Sequence, residues 1–182
     1  TCIEIDPKKR DVLKSGDVPF FEPGLNKIVH RNSCAGRLNF DAHYEKHIES
    51  AHVILACVGT PALSDGTCDL SYVFEAAKTV FETIKTKQLK QKIWVTKSTV
   101  PVGTAQKLIE LRANYGLTKE DISIVSNPEF LRESTTPNED FAKQHTVVIG
   151  TNHIDFFENI KSMYSEVLNS ELKFNDVLSI WQ

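Results

Sequence analysis

Hydrophobic positions along the chain form short unbroken runs and longer periodic stretches. The run at residues 53–58 is apolar throughout, which is typical of a central strand of a parallel sheet, buried on both faces. Shorter apolar runs at residues 93–95 and 122–125 predict two further strands. Between the first two runs, apolar residues recur every three or four positions from 70 to 84, which predicts an amphipathic helix with Asp69 as its N-cap.

Weaker patterns extend this alternation toward both ends of the chain. They predict strands near residues 1–6, 37–40, 146–150 and 172–174, and helices at 7–15, 104–113 and 154–164, the first of which Pro7 can open. Strands that alternate with helices imply a parallel sheet joined by right-handed crossovers, with helices on both faces. The predicted fold class is therefore α/β.

The composition fits a globular domain with its own core. The chain has 182 residues, of which 41% are apolar and 25% are charged. A formal net charge of -3 supplies no strong cationic field, so neither nucleic acid nor a membrane surface is an expected partner. No apolar run approaches the roughly 20 residues that cross a bilayer, and a signal-peptide pattern is absent, which together predict a cytoplasmic protein.

The cysteines and histidines do not form a recognisable metal motif. Cys2, Cys34, Cys57 and Cys68 lack CxxC spacing, which predicts buried or incidental thiols. His43 and His47 can share one helix face, but no glutamate completes an HExxH arrangement. No metal site is therefore predicted.

Polar side chains follow each of the three best-predicted strands. Gly59 and Thr60 follow the first strand, and Ser98 and Thr99 follow the second. The two hydroxyls can orient a ribose, a phosphate or a water, although they can equally cap the next helix. Because ligands bind at the carboxyl ends of parallel strands, these segments predict a shared site.

Two carboxylates and a guanidinium follow the third strand. Glu129, Arg132 and Glu133 come directly after Asn127-Pro128, which marks the strand end. A carboxylate that is partly desolvated in a cleft can take a proton from water, and a second carboxylate nearby favours different roles for the two. The alternative is that the two acids pair with Arg132 or cap a helix.

Several motifs in order resemble the UDP-glucose/GDP-mannose dehydrogenase family. The principal ones are Val-Ile-Leu-Ala-Cys-Val-Gly-Thr-Pro at residues 53–61, Lys-Ser-Thr-Val-Pro-Val-Gly at 97–103 and Asn-Pro-Glu-Phe-Leu-Arg-Glu at 127–133. Glu-Pro-Gly-Leu at residues 22–25 and Asp-Leu-Ser-Tyr-Val at 69–73 add to the resemblance, which extends to about residue 150. Members of this family oxidise the C6 alcohol of a nucleotide sugar to a carboxylate in two hydride transfers to NAD, through a cysteine thioester that water hydrolyses.

The resemblance implies NAD as the cofactor and a nucleotide sugar as the partner. The implied cofactor-binding residues are Glu4, on the adenosine ribose, Lys9, Val58, Gly59, Thr60, Pro61, Ser98, Thr99 and Glu133. Glu129 is implied as the acid-base carboxylate for thioester hydrolysis, with Thr99 near the reacting centre. The implied substrate-binding residues are Glu129, Phe130, Leu131, Arg132 and Glu133.

The resemblance also implies segments that this chain does not contain. In the family, a first strand and a glycine-rich turn hold the pyrophosphate, and a nucleophilic cysteine and an assisting lysine lie far downstream, beyond the first domain. We therefore expect residues 1–182 to be a single, partial NAD-binding domain with a Rossmann-like sheet that lacks the first strand, truncated at both ends and inactive alone. The full-length enzyme is expected to be a homo-oligomer.

The motifs leave the substrate open. Val-Gly-Thr-Pro at residues 58–61 also occurs in GDP-mannose dehydrogenases, whereas Ser-Thr-Val-Pro-Val-Gly at 98–103 is typical of UDP-glucose enzymes. UDP-glucose is favoured, and a GDP-mannose or UDP-N-acetylmannosamine 6-dehydrogenase is the alternative. A non-catalytic nucleotide-binding module is a further alternative, whereas a dehydrogenase of the 6-phosphogluconate type does not predict the run at 127–133.

Overall fold

Strands and helices alternate along the chain, as the hydrophobic pattern predicts. A computed structural model describes residues 1–130, 147–152 and 154–167. The strands are β1 (Cys2–Ile3), β2 (Phe40–Asp41), β3 (Val53–Ala56), β4 (Lys92–Thr96) and β5 (Ile122–Ser126). The helices are α1 (Pro7–Lys14), α2 (Leu25–Cys34), α3 (Glu45–Ser50), α4 (Ser71–Lys87), α5 (Thr104–Asn114) and α6 (Ile154–Val167). The predicted strand at residues 172–174 lies outside the described residues.

One of two compact units includes residues 1–47. In it, β1 pairs in parallel with β2, with Cys2 opposite Phe40. The next helix, α1, begins at a proline, whose fixed φ suits the first turn. Asp6 caps this helix by accepting the backbone N–H of Lys8 at 2.8 Å. Sequence reasoning therefore identified the start of α1 correctly.

The second unit includes residues 48–130 and the described part of 147–167. Its sheet has the order β3-β4-β5, and both pairs of strands are parallel. Every residue of the middle strand, β4, is buried. The core side chains that are fully buried include Val73, Phe81 and Ile84 of α4, Trp94 and Val95 of β4, Leu108 of α5, and Ile122 and Val125 of β5. The apolar face predicted for residues 70–84 therefore packs in this core.

Residues 53–58 were predicted to form a central strand that is buried on both faces. In the structure this strand, β3, lies at one edge of the described three-stranded sheet. It is shorter, ending at Ala56, and among the described strands it pairs with β4 alone. Leu55 is 48% exposed as a result. The apolar run identified a strand correctly, but burial on both faces requires neighbours that the run itself does not specify.

Other predictions need smaller corrections. Within the described part of residues 146–150, the expected strand is reduced to one antiparallel bridge between Gly150 and Ser126. Asp69 accepts the backbone N–H of Ser71 at 2.8 Å, but Leu70 occupies the N-cap position of α4. Cys2 and Cys57 are exposed, so of the two predicted alternatives, buried or incidental thiols, burial is wrong for these two and the incidental alternative holds.

Among the described residues there is neither a cluster of metal-binding side chains nor a helix suited to cross a membrane. No group of three or more histidine, cysteine, aspartate or glutamate side chains in this part of the chain is arranged to hold a metal ion. None of the helices within the described ranges has the length and apolar character that a membrane crossing requires. His47, considered above as a metal ligand, contacts Asp41 through Nε2 at 2.9 Å.

Candidate functional site

The loops that follow β3 and β4 are hydrogen-bonded to each other. The carbonyl of Ala56, the last residue of β3, accepts the backbone N–H groups of Lys97 at 2.9 Å and Ser98 at 3.1 Å. The Ser98 hydroxyl donates to the carbonyl of Val58 at 2.6 Å. Because Ser98 is buried, this hydroxyl serves the loop contact, while α5 begins beyond Gly103 without a side-chain cap. The helix-capping alternative for Ser98 is therefore wrong.

A second contact holds the same loops together farther from the sheet. Thr60 Oγ1 donates to the carbonyl of Thr99 at 2.9 Å. Thr99 itself is exposed, and its hydroxyl makes no hydrogen bond within the described residues. Among the described residues, and apart from Gly59 and its two chain neighbours, no atom lies within 4 Å of the position that a Cβ on Gly59 would occupy. A ligand can therefore approach the Gly59 backbone and the Thr99 hydroxyl.

The segment after β5 is fixed through Asn127, which is 1% exposed. Its backbone N–H donates to the carbonyl of Thr96 at 3.0 Å, which extends the pairing of β5 with β4. Its side-chain Nδ2 donates to the carbonyl of Val148 at 2.8 Å, and its Oδ1 accepts the hydroxyl of Tyr164 at 2.7 Å. The residue that sequence reasoning used only as a strand end therefore satisfies three separate hydrogen bonds.

An ion pair connects the ends of β4 and β5. Lys97 Nζ lies 2.9 Å from Glu129 Oε2, and the two side chains are only 13% and 21% exposed. Lys97 Nζ also donates to the hydroxyl of Tyr164 at 3.0 Å. Burial alone would lower the pKa of Lys97, but its hydrogen bonds with Glu129 and Tyr164 outweigh that effect and raise the pKa above its usual value.

The Glu129 carboxylate is held at both oxygens. Oε2 faces Lys97, and Oε1 accepts the backbone N–H of Phe130 at 2.9 Å. Cationic and N–H partners favour the ionised form of a carboxylate. The arrangement can therefore present an oriented carboxylate that accepts a proton at the carboxyl end of the sheet.

Glu4 lies in the other unit, directly after β1. Its backbone N–H donates to the carbonyl of Asp41 at 2.9 Å, and its Oε1 accepts the backbone N–H of Asp6 at 2.9 Å. Its Oε2 accepts no hydrogen bond from the described residues. A carboxylate oxygen with unused acceptor capacity at a strand end has the chemistry that a ribose hydroxyl requires, so Glu4 fits the role implied for NAD. Lys9 is exposed on α1.

The structure groups some of the sequence-predicted site residues and leaves others undescribed. Thr60, Ser98, Thr99 and Glu129 all follow the carboxyl ends of the β3-β4-β5 sheet. Three predicted residues, Leu131, Arg132 and Glu133, lie outside the described residues. The proposed pairing of Arg132 with the two acids lies outside them as well.

Sequence reasoning missed Lys97, Asn127 and Tyr164 as members of the site. Lys97 offered one usable signal, because a lysine that directly follows a buried strand needs a partner for its charge. Tyr164 was read only as part of an apolar helix face, although a buried tyrosine hydroxyl normally finds a hydrogen-bond partner. Its partner is 37 residues away in sequence, which local patterns do not reveal.

Sequence comparisons connect this site to known proteins. The sequence profile described as "UDP-glucose/GDP-mannose dehydrogenase family, NAD binding domain" matches residues 1–168. The curated relative UDP-glucose 6-dehydrogenase YwqF of Bacillus subtilis (strain 168) is 42% identical over 151 residues, which cover 83% of this chain and 33% of that protein. The chain spans about a third of the length of this relative and of two other curated UDP-glucose 6-dehydrogenases, from Rhizobium meliloti (strain 1021) and Pseudomonas aeruginosa.

Structural comparisons agree with the sequence comparisons. A ternary complex of GDP-mannose dehydrogenase from Pseudomonas aeruginosa superimposes with a TM-score of 0.84 at 29% identity, covering 92% of this chain and 38% of that one. A UDP-glucose dehydrogenase from the hyperthermophilic archaeon Pyrobaculum islandicum gives a TM-score of 0.76 at 31% identity, covering 96% and 39% of the two chains. These similarities confirm the predicted Rossmann-like α/β fold.

Proposed function

The chain belongs to the UDP-glucose/GDP-mannose dehydrogenase family, and from that premise we propose that it supplies the NAD-binding part of a UDP-glucose 6-dehydrogenase. NAD is the cofactor, because the matched profile is that of the family's NAD-binding domain. In this proposal, all 182 residues form one partial domain of a longer enzyme. That enzyme would be cytoplasmic and homo-oligomeric.

The observation that carries the proposal is the Glu129 carboxylate beside the Ser98-Thr99 loop, oriented by Lys97 and by the Phe130 N–H. Lys97 precedes that loop directly and pairs with Glu129 at 2.9 Å, so the ends of β4 and β5 contribute to one site. Ligands of open α/β sheets bind at this edge. Thr99 follows on the same loop, and its exposed hydroxyl makes no hydrogen bond within the described residues. An ion pair with only a structural role would not need such a hydroxyl beside it.

We assign the residues roles that follow from their chemistry. Bound NAD would accept the hydride that leaves the sugar C6 carbon. Glu4 would accept hydrogen bonds from the adenosine ribose, and Gly59 would let the backbone come close to the cofactor. Glu129 would take a proton from the water that attacks the thioester, while Thr99 would orient a group at the reacting centre by hydrogen bonding.

The remaining implied residues complete the two binding surfaces in the proposal. Lys9 would lie near the adenosine end of NAD. The further cofactor contacts proposed are Val58, Thr60, Pro61, Ser98 and Glu133, and the further substrate contacts are Phe130, Leu131, Arg132 and Glu133. The nucleophilic cysteine would come from outside these 182 residues, because none of the four cysteines matches the family's nucleophile motif.

UDP-glucose is the preferred substrate because the relative of highest identity among those described above is a UDP-glucose 6-dehydrogenase. The GDP-mannose enzyme has the higher TM-score of the two structures but the lower sequence identity, 29% against 31%. Sequence identity near the ligand bears more on substrate choice than backbone similarity does. GDP-mannose and UDP-N-acetylmannosamine remain the alternative substrates to assay.

The test is turnover by a longer protein that contains these residues. We expect NADH to form from NAD and UDP-glucose, at two NADH per sugar, and more slowly from the two alternative sugars. Glu129→Gln is expected to lower kcat by about 10²–10⁴-fold, since a general base typically contributes that much. The variant should also accumulate a covalent sugar adduct, visible in its intact mass, because hydrolysis is the impaired step.

Controls separate this function from its competitors. Glu110→Gln changes an exposed acid on α5 and is expected to leave turnover unchanged. Failure to oxidise any of the three nucleotide sugars would refute the dehydrogenase proposal. Robust turnover by the 182-residue chain alone would refute the claim that it needs a catalytic part supplied from elsewhere.

A non-catalytic nucleotide-binding module is the second candidate, favoured by the match to the profile of an NAD-binding domain. Calorimetric titration of the chain with NAD, UDP-glucose and GDP-mannose distinguishes the two. Binding by the chain without turnover in any longer protein that contains it would support the module. No heat with any of the three ligands would exclude it.

A further inference from the structure

The ammonium group of Lys97 lies where three segments of the second unit meet. Lys97 follows β4, its partner Glu129 follows β5, and its other partner Tyr164 lies on α6. The ring of Tyr164 also stands beneath the ammonium, with its centroid 5.7 Å from Nζ. These contacts order a long flexible side chain, at an entropic cost that an isolated surface lysine does not bear.

The direction of the hydrogen bonds around Tyr164 follows from the two ends of the network. Asn127 Nδ2 donates to the carbonyl of Val148, so Asn127 Oδ1 is the acceptor that faces Tyr164. The single hydroxyl proton of Tyr164 is therefore used toward Asn127, at 2.7 Å. The hydroxyl can then meet Lys97 only as an acceptor, which requires Lys97 to act as the donor at 3.0 Å.

The direction of these hydrogen bonds determines which groups of Lys97 face Glu129. A lysine that must donate to Tyr164 also presents N–H groups and positive charge to Glu129 Oε2 at 2.9 Å. An ammonium that donates to one oxygen of a carboxylate fixes the direction in which that carboxylate points. Among the described groups, Glu129 and Tyr164 are the titratable side chains that contact Lys97.

We infer that Lys97 is a positioning residue for Glu129: held by Tyr164 and Asn127, it fixes the orientation of the carboxylate that would accept a proton from water. The inference rests on the proposed function for the meaning of that proton transfer. The physical coupling between Lys97 and Glu129, however, can be measured without any substrate. Lys97 itself is not assigned contact with substrate or cofactor.

The coupling can be measured by nitrogen NMR titration of the Lys97 ammonium in the 182-residue chain. Glu129→Gln removes the negative charge while keeping the side-chain shape. We expect the Lys97 midpoint to fall in this variant, because the hydrogen bond with Glu129 helps to raise the pKa of Lys97. A lysine that did not bind Glu129 would not respond to this substitution.

Glu120→Gln is the matched control. It changes an acid that lies 4.0 Å from Lys119 in an exposed pair, and it is expected to leave the Lys97 midpoint unchanged. An identical Lys97 midpoint in wild type and in folded Glu129→Gln would overturn the inference. The same conclusion would follow if Glu120→Gln shifted the midpoint as much as Glu129→Gln.

A reciprocal variant keeps the test decisive if Glu129→Gln does not fold. The carbon NMR signal of the Glu129 carboxyl at pH 7 is expected to move in Lys97→Met and to return most of the way in Lys97→Arg, which keeps a charged donor. An unmoved signal in folded Lys97→Met would overturn the inference. Loss of turnover in every sugar assay, with the NMR shifts intact, would refute the proposed function but leave the coupling established.

Discussion

The hydroxyl of Tyr164 donates a 2.7 Å hydrogen bond to Asn127 Oδ1, and both residues are buried. This contact fastens α6 to the segment that follows β5, where Glu129 begins the proposed substrate surface. The same hydroxyl accepts from Lys97, so one oxygen atom serves two buried polar partners. The position of the segment that follows β5 therefore depends on α6, a helix that was predicted from the sequence only as an amphipathic packing element.

Tyr164→Phe should destabilise the chain. The substitution keeps the ring but leaves Asn127 Oδ1 and one Lys97 donor unpaired in a buried site, which typically costs about 1–3 kcal/mol. Urea unfolding of the 182-residue chain measures the change in the free energy of unfolding. Tyr72→Phe, at a tyrosine that is exposed on α4, is the control and should change little. Equal stability of the two variants would contradict the importance of the Tyr164 hydroxyl.

Asp121 should make stability depend on acid pH. It is buried at the start of β5 and accepts the Thr118 N–H at 2.7 Å and the Thr118 hydroxyl at 2.9 Å, while Lys90 forms an ion pair with it. Burial alone raises the pKa of this carboxyl, but the hydrogen bonds from Lys90 and Thr118 outweigh burial and lower it. Its stabilising contribution is therefore complete above the unfolded value of about 3.9 and is lost as pH falls through the lower folded pKa.

Unfolding experiments from pH 6 to pH 2 can isolate this contribution. Asp121→Asn should be less stable than wild type at pH 6 by about 1–3 kcal/mol, because Asn cannot accept both Thr118 groups and pair with Lys90 as a carboxylate does. The difference should shrink as the pH falls through the lowered folded pKa of Asp121, because the wild-type carboxyl then becomes protonated as well. A difference that stays constant over the whole range would contradict the assigned pKa direction.

Ser98→Ala should loosen the loop that follows β3, at residues 58–60. The Ser98 hydroxyl donates to the Val58 carbonyl at 2.6 Å, and alanine leaves that carbonyl without this partner. We expect faster amide hydrogen exchange at residues 58–60, with a loss of about 0.5–1.5 kcal/mol in global stability. Ser64→Ala, in the exposed turn of the same loop, is the control. Unchanged exchange at residues 58–60 in Ser98→Ala would show that other contacts hold the loop.

Sequence reasoning succeeded where the cause of a structure is local. The apolar period of residues 70–84 predicted α4, and Pro7 predicted the start of α1, because side-chain spacing and the fixed φ of proline act locally. The sequence also predicted that the polar loops lie at one edge of the sheet, because the carboxyl ends of parallel strands lie side by side. Local patterns could not show that Lys97 pairs with Glu129, 32 positions away, rather than with another acid at that edge.

The errors have an equally physical origin. Residues 53–58 were predicted as a doubly buried central strand, yet Leu55 is 48% exposed, and β3 pairs with β4 alone among the described strands. The cysteines of that run and of β1 were predicted as buried or incidental thiols, and both are exposed. An apolar run predicts that a segment forms a buried element. The actual solvent exposure of each side chain depends on neighbours that are distant in sequence.

Glu4→Gln should weaken NAD binding. The Glu4 side chain uses Oε1 for the Asp6 N–H, and Oε2 makes no hydrogen bond within the described part of the chain. A charged acceptor for ribose hydroxyls is typically stronger than a neutral amide by about 1–2 kcal/mol, which corresponds to roughly a 5- to 30-fold rise in Kd. Calorimetric titration with NAD measures this change, and Glu110→Gln, at an exposed acid on α5, should bind like wild type. If Glu4→Gln binds NAD as tightly as Glu110→Gln does, the ribose lies elsewhere.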